Sequence, residues 1–471
     1  MNATSITTTE LWRLSAVALA AAIRSKEVSS QEVVAAHLRR IEAVNPRVNA
    51  VPVVLAEGAL EAAKAADRRV GAGEELPRFH GVPFTVKSNL DVAGTPTTHG
   101  LRAMAEAYPK LDAPVVERMR TAGAIPIGRS NMPDFAISWH THSELYGATV
   151  NPWDASRTPG ASSGGEGVAL ATGMSPIGLG NDTLGSLRWP AQCSGVAALK
   201  PTLGRIPDAT SVGTPSIVPI GLQLAAVNGP LARQVADLRA VLGVLAGPTW
   251  RDPWTVPAPL RGPQPPRPIT VAVVLDPAGR GTARQVQDGV RRAASALTDA
   301  GYAVEEVEPP SIEAAARCLL DMLDLHTGWN LLPPPVSDYA KRWIAAFFEV
   351  LGPPEPLANA LSFATRHTLL HAWGQFQETR PLILAPVGTD LPFTVGADRT
   401  PAGVRDNLRV MRMVMAVNAL GLPAVAVPVG VEDGLPQVVQ LIGPRYREDL
   451  CLDAAEALEE RHGVISPIDP G

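Results

Sequence analysis

A stretch rich in glycine and serine, from Gly160 to Thr202, constrains the fold of this chain more than any other segment. It begins G-A-S-S-G-G-E-G and continues through G-L-G-N-D-T-L-G-S-L-R-W-P, with the hydroxyls of Ser162 and Ser186 set among small residues. Glycine adopts positive φ angles and lets backbone approach closely, as an oxyanion-binding site requires. The composition is also typical of a loop between buried strands or of a phosphate loop. The phosphate interpretation is disfavoured because no lysine follows the glycines and G-x-G-x-x-G is not matched.

A lysine lies at the end of an apolar run upstream of this stretch. The run Val82 to Val86 predicts a short buried strand, and Lys87 leads out of it into N-L-D-V-A-G-T-P-T-T. Such a lysine loses its water unless it reaches the surface, and a surface salt bridge is the commoner fate of lysines. The sequence alone leaves both interpretations open for Lys87.

The chain resembles the amidase signature family of serine hydrolases in three motifs. These are Lys87, G-A-S-S-G-G at 160–165 and D-T-L-G-S-L-R-W-P at 182–190. Their order and spacing suit that family, and the similarity covers nearly the whole chain. The resemblance implies that Lys87 is the catalytic lysine, Ser162 a bridging serine on a cis peptide bond and Ser186 the nucleophile. It also implies an oxyanion hole and supporting residues, with no metal and no organic cofactor. The oxyanion candidates are Thr183, Leu184, Gly185 and Ser186, and the supporting residues are Ser163, Asp182 and Arg188.

One position departs from the family pattern. The family usually shows D-I-G-G-S, whereas this chain has D-T-L-G-S, so that Leu184 replaces a glycine. If that glycine needs a positive φ, leucine is unfavourable there. The sequence therefore predicts either a local backbone that accepts leucine or a reshaped oxyanion hole.

A lysine base must compete with the usual histidine base of serine hydrolases. Gly160 to Gly164 matches G-x-S-x-G, but the preceding N-P-W-D-A-S-R-T-P predicts a loop instead of the strand that a nucleophile elbow needs. No histidine stands in a recognisable triad context. Burial and nearby positive charge can deprotonate a lysine and make it a base. His140 and His142, in W-H-T-H, are interpreted as pocket or packing residues because no ligand spacing surrounds them.

Composition narrows the class of protein. Of the 471 residues, 46% are hydrophobic and 18% charged, and the hydrophobic fraction is large enough to form a large core. The net charge of −5 gives no indication of nucleic-acid binding. The three cysteines are few, odd in number and without zinc spacing, so we expect a reducing, cytoplasmic location. The longest uncharged segment, 209–232, carries three prolines and predicts strands and loops instead of a membrane span.

The resemblance and the α/β alternation predict one α/β domain with a mixed central sheet covered by helices and a helical cap over the site. Within this single domain, we assign 1–75 to N-terminal helices, 76–232 to the catalytic core, 233–400 to a variable substrate-binding and cap region, and 401–471 to closing strands and a helix. Thr9 is predicted to cap a first helix ending near Ser25, and Ser29 with Glu32 to form a capping box. A strand–helix–strand unit is expected over 269–307, and one helix over 404–420.

The leading hypothesis is hydrolysis of small neutral amides, extending to aryl or alkyl carbamates and esters, through a Ser-cisSer-Lys triad and an acyl-enzyme. Two alternatives stay open: the amidase subunit of a tRNA-dependent amidotransferase, and a non-catalytic binding protein of the same fold. The expected partner is a small-molecule substrate, with no nucleic acid and no membrane, for a monomer or homodimer. Apolar residues of the expected cap favour aryl-bearing substrates over charged ones. These residues are Met322, Leu323, Trp329, Trp343, Phe347, Phe348, Phe363, Trp373 and Phe376.

Overall fold

An eleven-stranded mixed β-sheet runs through the centre of the structure, a computed structural model that describes residues 8–209, 218–325 and 336–470. The strand order from edge to edge is β1-β3-β2-β6-β8-β7-β12-β13-β11-β9-β10, and β4 and β5 form a separate short hairpin. Strands β3, β2 and β6 run parallel, as do β11, β9 and β10, and the other neighbours are antiparallel. The strands are β1 (Val53–Val54), β2 (Pro83–Lys87), β3 (Ile125–Ser130), β4 (His142–Ser143), β5 (Gly147–Ala148), β6 (Ile177–Asp182), β7 (Ala197–Lys200), β8 (Val227–Ala232), β9 (Thr270–Val273), β10 (Ala303–Glu306), β11 (Leu382–Pro386), β12 (Ala424–Glu432) and β13 (Leu435–Ile442).

Helices cover both faces of the sheet, and the α/β fold with a mixed sheet is confirmed. The described helices are α1 (Ala16–Arg24), α2 (Ser30–Val48), α3 (Ala56–Gly71), α4 (Pro114–Thr121), α5 (Gly164–Ala171), α6 (Arg188–Ser194), α7 (Ile220–Ala225), α8 (Val235–Leu245), α9 (Arg284–Asp299), α10 (Ile312–Leu323), α11 (Asp338–Leu351), α12 (Pro356–Thr379), α13 (Pro401–Val410), α14 (Arg412–Ala419) and α15 (Glu448–His462). None of the helices in the described ranges is long and apolar enough to cross a membrane.

Of the two helix caps predicted near the N-terminus, one is confirmed and one is wrong. The predicted capping box is present, because Ser29 accepts from the Glu32 amide and the Glu32 carboxylate accepts from the Ser29 amide. The predicted cap at Thr9 is wrong. Residues Thr8–Arg13 form a 3₁₀ turn, and Ser15, with extended backbone, caps α1 by accepting from the amide of Ala18 at 3.1 Å.

The predicted helix over 404–420 is divided into α13 and α14. The carbonyl oxygen of Val410 accepts from the amide of Thr389 at 3.1 Å, so it is engaged by another segment at the break. A tertiary hydrogen bond therefore sets a boundary that helix propensity does not show.

The strand–helix–strand unit of β9, α9 and β10 is confirmed, with β9 and β10 parallel in the central sheet. Strand β11 joins the same sheet beside β9. The segment 233–400 thus supplies three sheet strands, and its helices α10, α11 and α12 come from the part between β10 and β11.

Alternation along β2 sorts its side chains between core and site. Phe84 and Val86 lie in a hydrophobic core on one face of the sheet, and Thr85 and Lys87 point to the opposite face. Strand β6 runs parallel to β2, so both strands end at the same edge of the sheet. Helix α5 packs on this region directly after the loop that carries Ser162.

Candidate active site

Lys87 and Ser162 meet where β2 ends. The Lys87 Nζ donates to the Ser162 Oγ at 2.6 Å, and the peptide bond between Ala161 and Ser162 is cis, as the resemblance implied. Both side chains are buried. The structure thus favours the desolvated interpretation of Lys87 over the surface salt bridge.

Lys87 has a second hydrogen-bond partner that the sequence did not predict. The Nζ also donates to the Oδ1 of Asn181 at 2.6 Å. Asn181 lies one residue before the end of β6, which is parallel to β2, and this places the amide beside the end of β2. The signal was present, because a polar Asn-Asp pair ends an otherwise uncharged strand.

Burial makes the Lys87 ammonium easier to deprotonate. It lowers the pKa of this group from 10.5 to about 7, although the negative charges of Asp182 and Glu166 act in the opposite direction. A large share of these side chains is therefore neutral near pH 7, as a proton acceptor must be.

The loop after β6 brings Ser186 next to the serine loop. The amide of Ser163 donates to the carbonyl oxygen of Ser186 at 3.2 Å, so the two loops are joined by backbone. The exposed fraction is 9% for Ser186, against 1% for Ser162 and 0% for Lys87. Of the three predicted catalytic groups, Ser186 is therefore the one that solvent, and hence a substrate, reaches most easily.

Asp182 organises the turn that ends at Ser186. Its carboxylate accepts from the amides of Gly185 at 2.9 Å and Leu187 at 3.1 Å. The Gly185 N–H is thus already engaged, and its use in an oxyanion hole would require sharing that hydrogen. The predicted oxyanion donors Thr183, Leu184 and Ser186 are not affected by this contact.

The leucine that departs from the family pattern is accommodated without a left-handed backbone. Gly185 carries the positive φ of the turn, +92°, and Leu184 is not among the described residues with positive φ. The Leu184 side chain packs against an apolar cluster, and its carbonyl oxygen accepts from the Trp139 Nε1 at 3.3 Å. Of the two expectations for this position, the compatible backbone is the one observed.

Arg188 forms a buried network below the same turn. Its guanidinium donates to both carboxylate oxygens of Asp182, and further to the carbonyl of Val414, the amide oxygen of Asn418 and that of Gln440. Burial by itself raises the pKa of Asp182, but the charge and hydrogen bonds of Arg188, together with the charge of Lys200 and the Leu187 amide, outweigh it and bring that pKa to about 2. The supporting roles predicted for Asp182 and Arg188 thus correspond to one ion pair.

Aromatic side chains continue from the turn into α11. Trp139 meets Trp343 edge-on with ring centres 5.8 Å apart, and Trp343 stacks on Phe347 at 4.6 Å. We call Trp139, Trp343 and Phe347 the aromatic trio. Trp373, in contrast, donates to the carbonyl of Pro310 in a different core cluster, and Trp329 lies outside the described residues.

The two histidines of W-H-T-H have packing contacts. The His142 ring stacks on Tyr339 with centres 5.0 Å apart, and the His140 Nδ1 lies 3.2 Å from the Thr158 Oγ1. These contacts agree with the packing interpretation.

Comparisons with known proteins give a consistent result. The family model described as Amidase matches residues 32–452. The indoleacetamide hydrolase of Bradyrhizobium diazoefficiens is 42% identical, over 97% of this chain and 88% of that protein. One subunit of the glutamyl-tRNA(Gln) amidotransferase of Salinispora arenicola is 33% identical, over 98% of this chain and 99% of that protein.

A solved structure agrees with both relatives. The 6-aminohexanoate cyclic dimer hydrolase, complexed with its substrate, superimposes with a TM-score of 0.81 at 28% identity, covering 96% of this chain and 98% of that one.

Proposed function

Since this chain belongs to the amidase signature family, and is an amidohydrolase as its relatives are, we propose that it is a free-standing enzyme for small, neutral, aryl-bearing amides. The observation that carries the proposed mechanism is the 2.6 Å hydrogen bond between the buried Lys87 and Ser162. A serine hydroxyl is a poor nucleophile until a base takes its proton.

In the proposed mechanism, neutral Lys87 accepts a proton from Ser162 while Ser162 accepts one from Ser186. The Ser186 Oγ attacks the amide carbon, and backbone amides of its turn stabilise the oxyanion. The proton returns through Ser162 to the leaving amine, and the C–N bond breaks to give an acyl-enzyme. Water then attacks the ester, giving its proton to the same relay, and releases the acid and Ser186.

The proposed substrate class rests on the aromatic trio and on one relative. Trp139 contacts the turn before Ser186 through the Leu184 carbonyl, and its ring also contacts Trp343 and Phe347. A ring against such a wall loses water and gains edge and stacking contacts. The similarity to an indoleacetamide hydrolase supports an arylacetamide, and the same acyl-transfer steps extend to aryl carbamates and esters.

The test is kcat/KM for indoleacetamide, an acylanilide, an aryl carbamate, an aliphatic amide and a charged amino-acid amide. Burial of one ring contributes about 1.5–3 kcal/mol, so the aryl amides should exceed the aliphatic one by roughly 10- to 150-fold. Phe347→Leu should reduce only this preference. Phe376→Leu, in a separate core cluster, is the matched control and should leave it unchanged. A preference for the charged amide contradicts the proposal.

A second candidate is the amidase subunit of an amidotransferase, favoured by the 33% identity to such a protein over nearly the full length of both chains. Hydrolysis of an aryl amide by the purified chain alone decides for the free-standing enzyme. Activity only with a co-purifying second chain, on glutamine, decides for the subunit. A fluorophosphonate that leaves Ser186 unlabelled would instead support a non-catalytic binding protein.

The setting of the enzyme also belongs to the proposal. Cys193, Cys318 and Cys451 are free and buried, which fits the reducing cytoplasm that we propose. We further propose a monomer or homodimer, in which 1–75 packs outside, 76–232 and 401–471 hold the catalytic machinery, and 233–400 carries the variable substrate-binding region.

A further inference from the structure

A buried carboxylate lies close to Lys87, and the mechanism above does not use it. Glu166, in the first turn of α5, is fully buried. Its Oε2 accepts from the Thr85 hydroxyl at 2.5 Å, and its Oε1 accepts from the Ser130 hydroxyl at 2.7 Å. Thr85 is two residues before Lys87 on the same face of β2, and Ser130 is the β3 residue directly paired with Lys87. The carboxylate is thus fixed to β2, the strand that carries Lys87, and to its neighbour β3.

A glycine on strand β6 leaves space for the Glu166 side chain. Gly178 on β6 is paired with Thr85, and a Cβ on Gly178 would lie 2.3 Å from the Glu166 Oε2. Any larger residue at 178 would displace the carboxyl group. A glycine in a central strand, a buried carboxylate and two hydroxyl donors therefore form one built arrangement.

The charges around Glu166 come from two neighbouring strands. Burial raises the pKa of Glu166 to about 7, opposed first by the hydrogen bonds from Thr85 and Ser130 and then by the charges of Lys87 and Arg129. Arg129 itself donates to the carbonyl oxygens of Lys87 and Leu90. The other carboxylate that acts on Lys87 is Asp182, which is already paired with Arg188. Glu166 is thus the acidic neighbour of Lys87 without an arginine hydrogen-bonded to it in the described part of the chain.

We propose that Glu166 is a positioning residue whose carboxylate, fixed by two hydroxyl donors, controls how readily Lys87 gives up its proton. The inference rests on the proposed role of Lys87 as the base. A nearby negative charge favours the ammonium form, so Glu166 counteracts the effect of burial and keeps the lysine a strong enough base. Without the charge, Lys87 deprotonates at lower pH and becomes a weaker base, and proton transfer slows at the plateau.

Glu166→Gln tests this role because it removes the charge and keeps the shape. An amide accepts from one hydroxyl and donates to the other, which can turn its own hydrogen away. We would measure two quantities between pH 5 and 9.5: the rate of Ser186 labelling by a fluorophosphonate, and kcat/KM for an arylacetamide. In the wild type both should rise to a plateau with a midpoint near pH 7, where Lys87 and its neighbour Glu166 both titrate. In Glu166→Gln the midpoint should move down by about one pH unit and the plateau should fall several-fold.

Two further variants keep the test decisive. Thr85→Val removes one donor, makes the Glu166 carboxyl harder to ionise, and should shift the midpoint in the same direction by a smaller amount, which decides the question if Glu166→Gln does not fold. Glu459→Gln is the matched control: this carboxyl also has a pKa raised by burial to about 7, accepts from the Val235 amide, and should leave the midpoint unchanged.

The outcomes distinguish a wrong role for Glu166 from a wrong mechanism. A folded Glu166→Gln variant with lower rates at every pH and an unmoved midpoint shows a merely structural residue and overturns the inference. A wild type with no midpoint in the labelling rate removes Lys87 as the base, and with it the proposed mechanism and the role of Glu166 together.

Discussion

Arg188 donates to the Oδ2 of Asp182 at 3.0 Å and to its Oδ1 at 3.2 Å, and neither side chain has exposed surface. This bidentate pair closes the underside of the turn between Asp182 and Ser186, because the same carboxylate also holds the Gly185 and Leu187 amides. The position of Ser186, the proposed nucleophile, therefore depends on a fully buried ion pair.

Arg188→Leu should lower the free energy of unfolding by about 3–5 kcal/mol, since it leaves the buried Asp182 carboxylate without its partner. Urea denaturation at pH 7 measures the loss. Arg284→Leu is the control, because its pair with Asp288 is exposed, with Arg284 91% accessible, and should contribute at most about 0.5 kcal/mol. A loss at Arg188 no larger than at Arg284 would contradict a supporting role.

The same pair predicts a pH dependence. Asp182 has a folded pKa of about 2, below its ordinary 3.8, so its contribution to stability is complete above pH 3.8 and is lost as the pH falls towards 2. In Arg188→Leu, burial no longer opposed by Arg188 raises the Asp182 pKa, so the stability difference between wild type and variant should begin to shrink above pH 3.8 and continue to shrink as the pH falls towards 2. A difference that grows on acidification would show that the sign is wrong.

Ser186→Ala should lower kcat by about four to six orders of magnitude with the fold intact, and Ser162→Ala should act similarly because relay members function as a unit. Circular dichroism and steady-state kinetics check both. Ser194→Ala is the control: this serine is buried, and its hydroxyl has no hydrogen-bond partner within the described ranges. Full activity of Ser186→Ala would return Ser162 to consideration as the attacking group.

Lys87→Arg should be nearly inactive, because a guanidinium stays charged and cannot accept the Ser162 proton. The wild-type rate should fall below about pH 7, the pKa to which burial lowers Lys87, as the base becomes protonated. Lys341→Arg, at an exposed site on α11, is the control and should behave as the wild type. Near-normal turnover in Lys87→Arg would rule out a lysine base.

Gly185→Ala should reduce kcat at least tenfold, because its φ of +92° is unfavourable for alanine and the new Cβ would lie 2.8 Å from the Val414 Cγ2. Leu184→Gly is the matched change at the neighbouring position. It should alter kcat or substrate preference with little effect on stability, since the backbone there is ordinary and only the apolar contact is lost. Equal kinetics in wild type and Gly185→Ala would show that the turn has no bearing on the reaction.

The sequence indicated the site because its signals are local. Small residues around Ser162 and Ser186, and a lysine at the end of an apolar run, are read directly from neighbouring residues. The contribution of Asn181 and Glu166 could not be deduced in this way, because it depends on β6 lying parallel beside β2 and on Gly178 leaving room. A single carboxylate in the otherwise uncharged start of α5 was the available signal for Glu166.

A predicted helix boundary is wrong where a residue distant in sequence forms a hydrogen bond with the backbone of the helix. The break between α13 and α14 follows from a hydrogen bond between Thr389 and Val410, which no window around residue 410 contains. The order of eleven strands is likewise a property of long-range pairing, to which propensity and alternation give no access.

The Arg188 network has a consequence for how an active molecule arises during synthesis. Two of its partners, Asn418 and Gln440, lie 230 and 252 residues further along the chain. Until β13 has been synthesised, the guanidinium lacks Gln440 as an acceptor, and the turn that holds Ser186 has its local contacts with Asp182 but not the complete network. We therefore expect hydrolytic activity only once the last strands have joined the sheet, so that a chain truncated before β13 should be inactive although it carries every proposed catalytic residue.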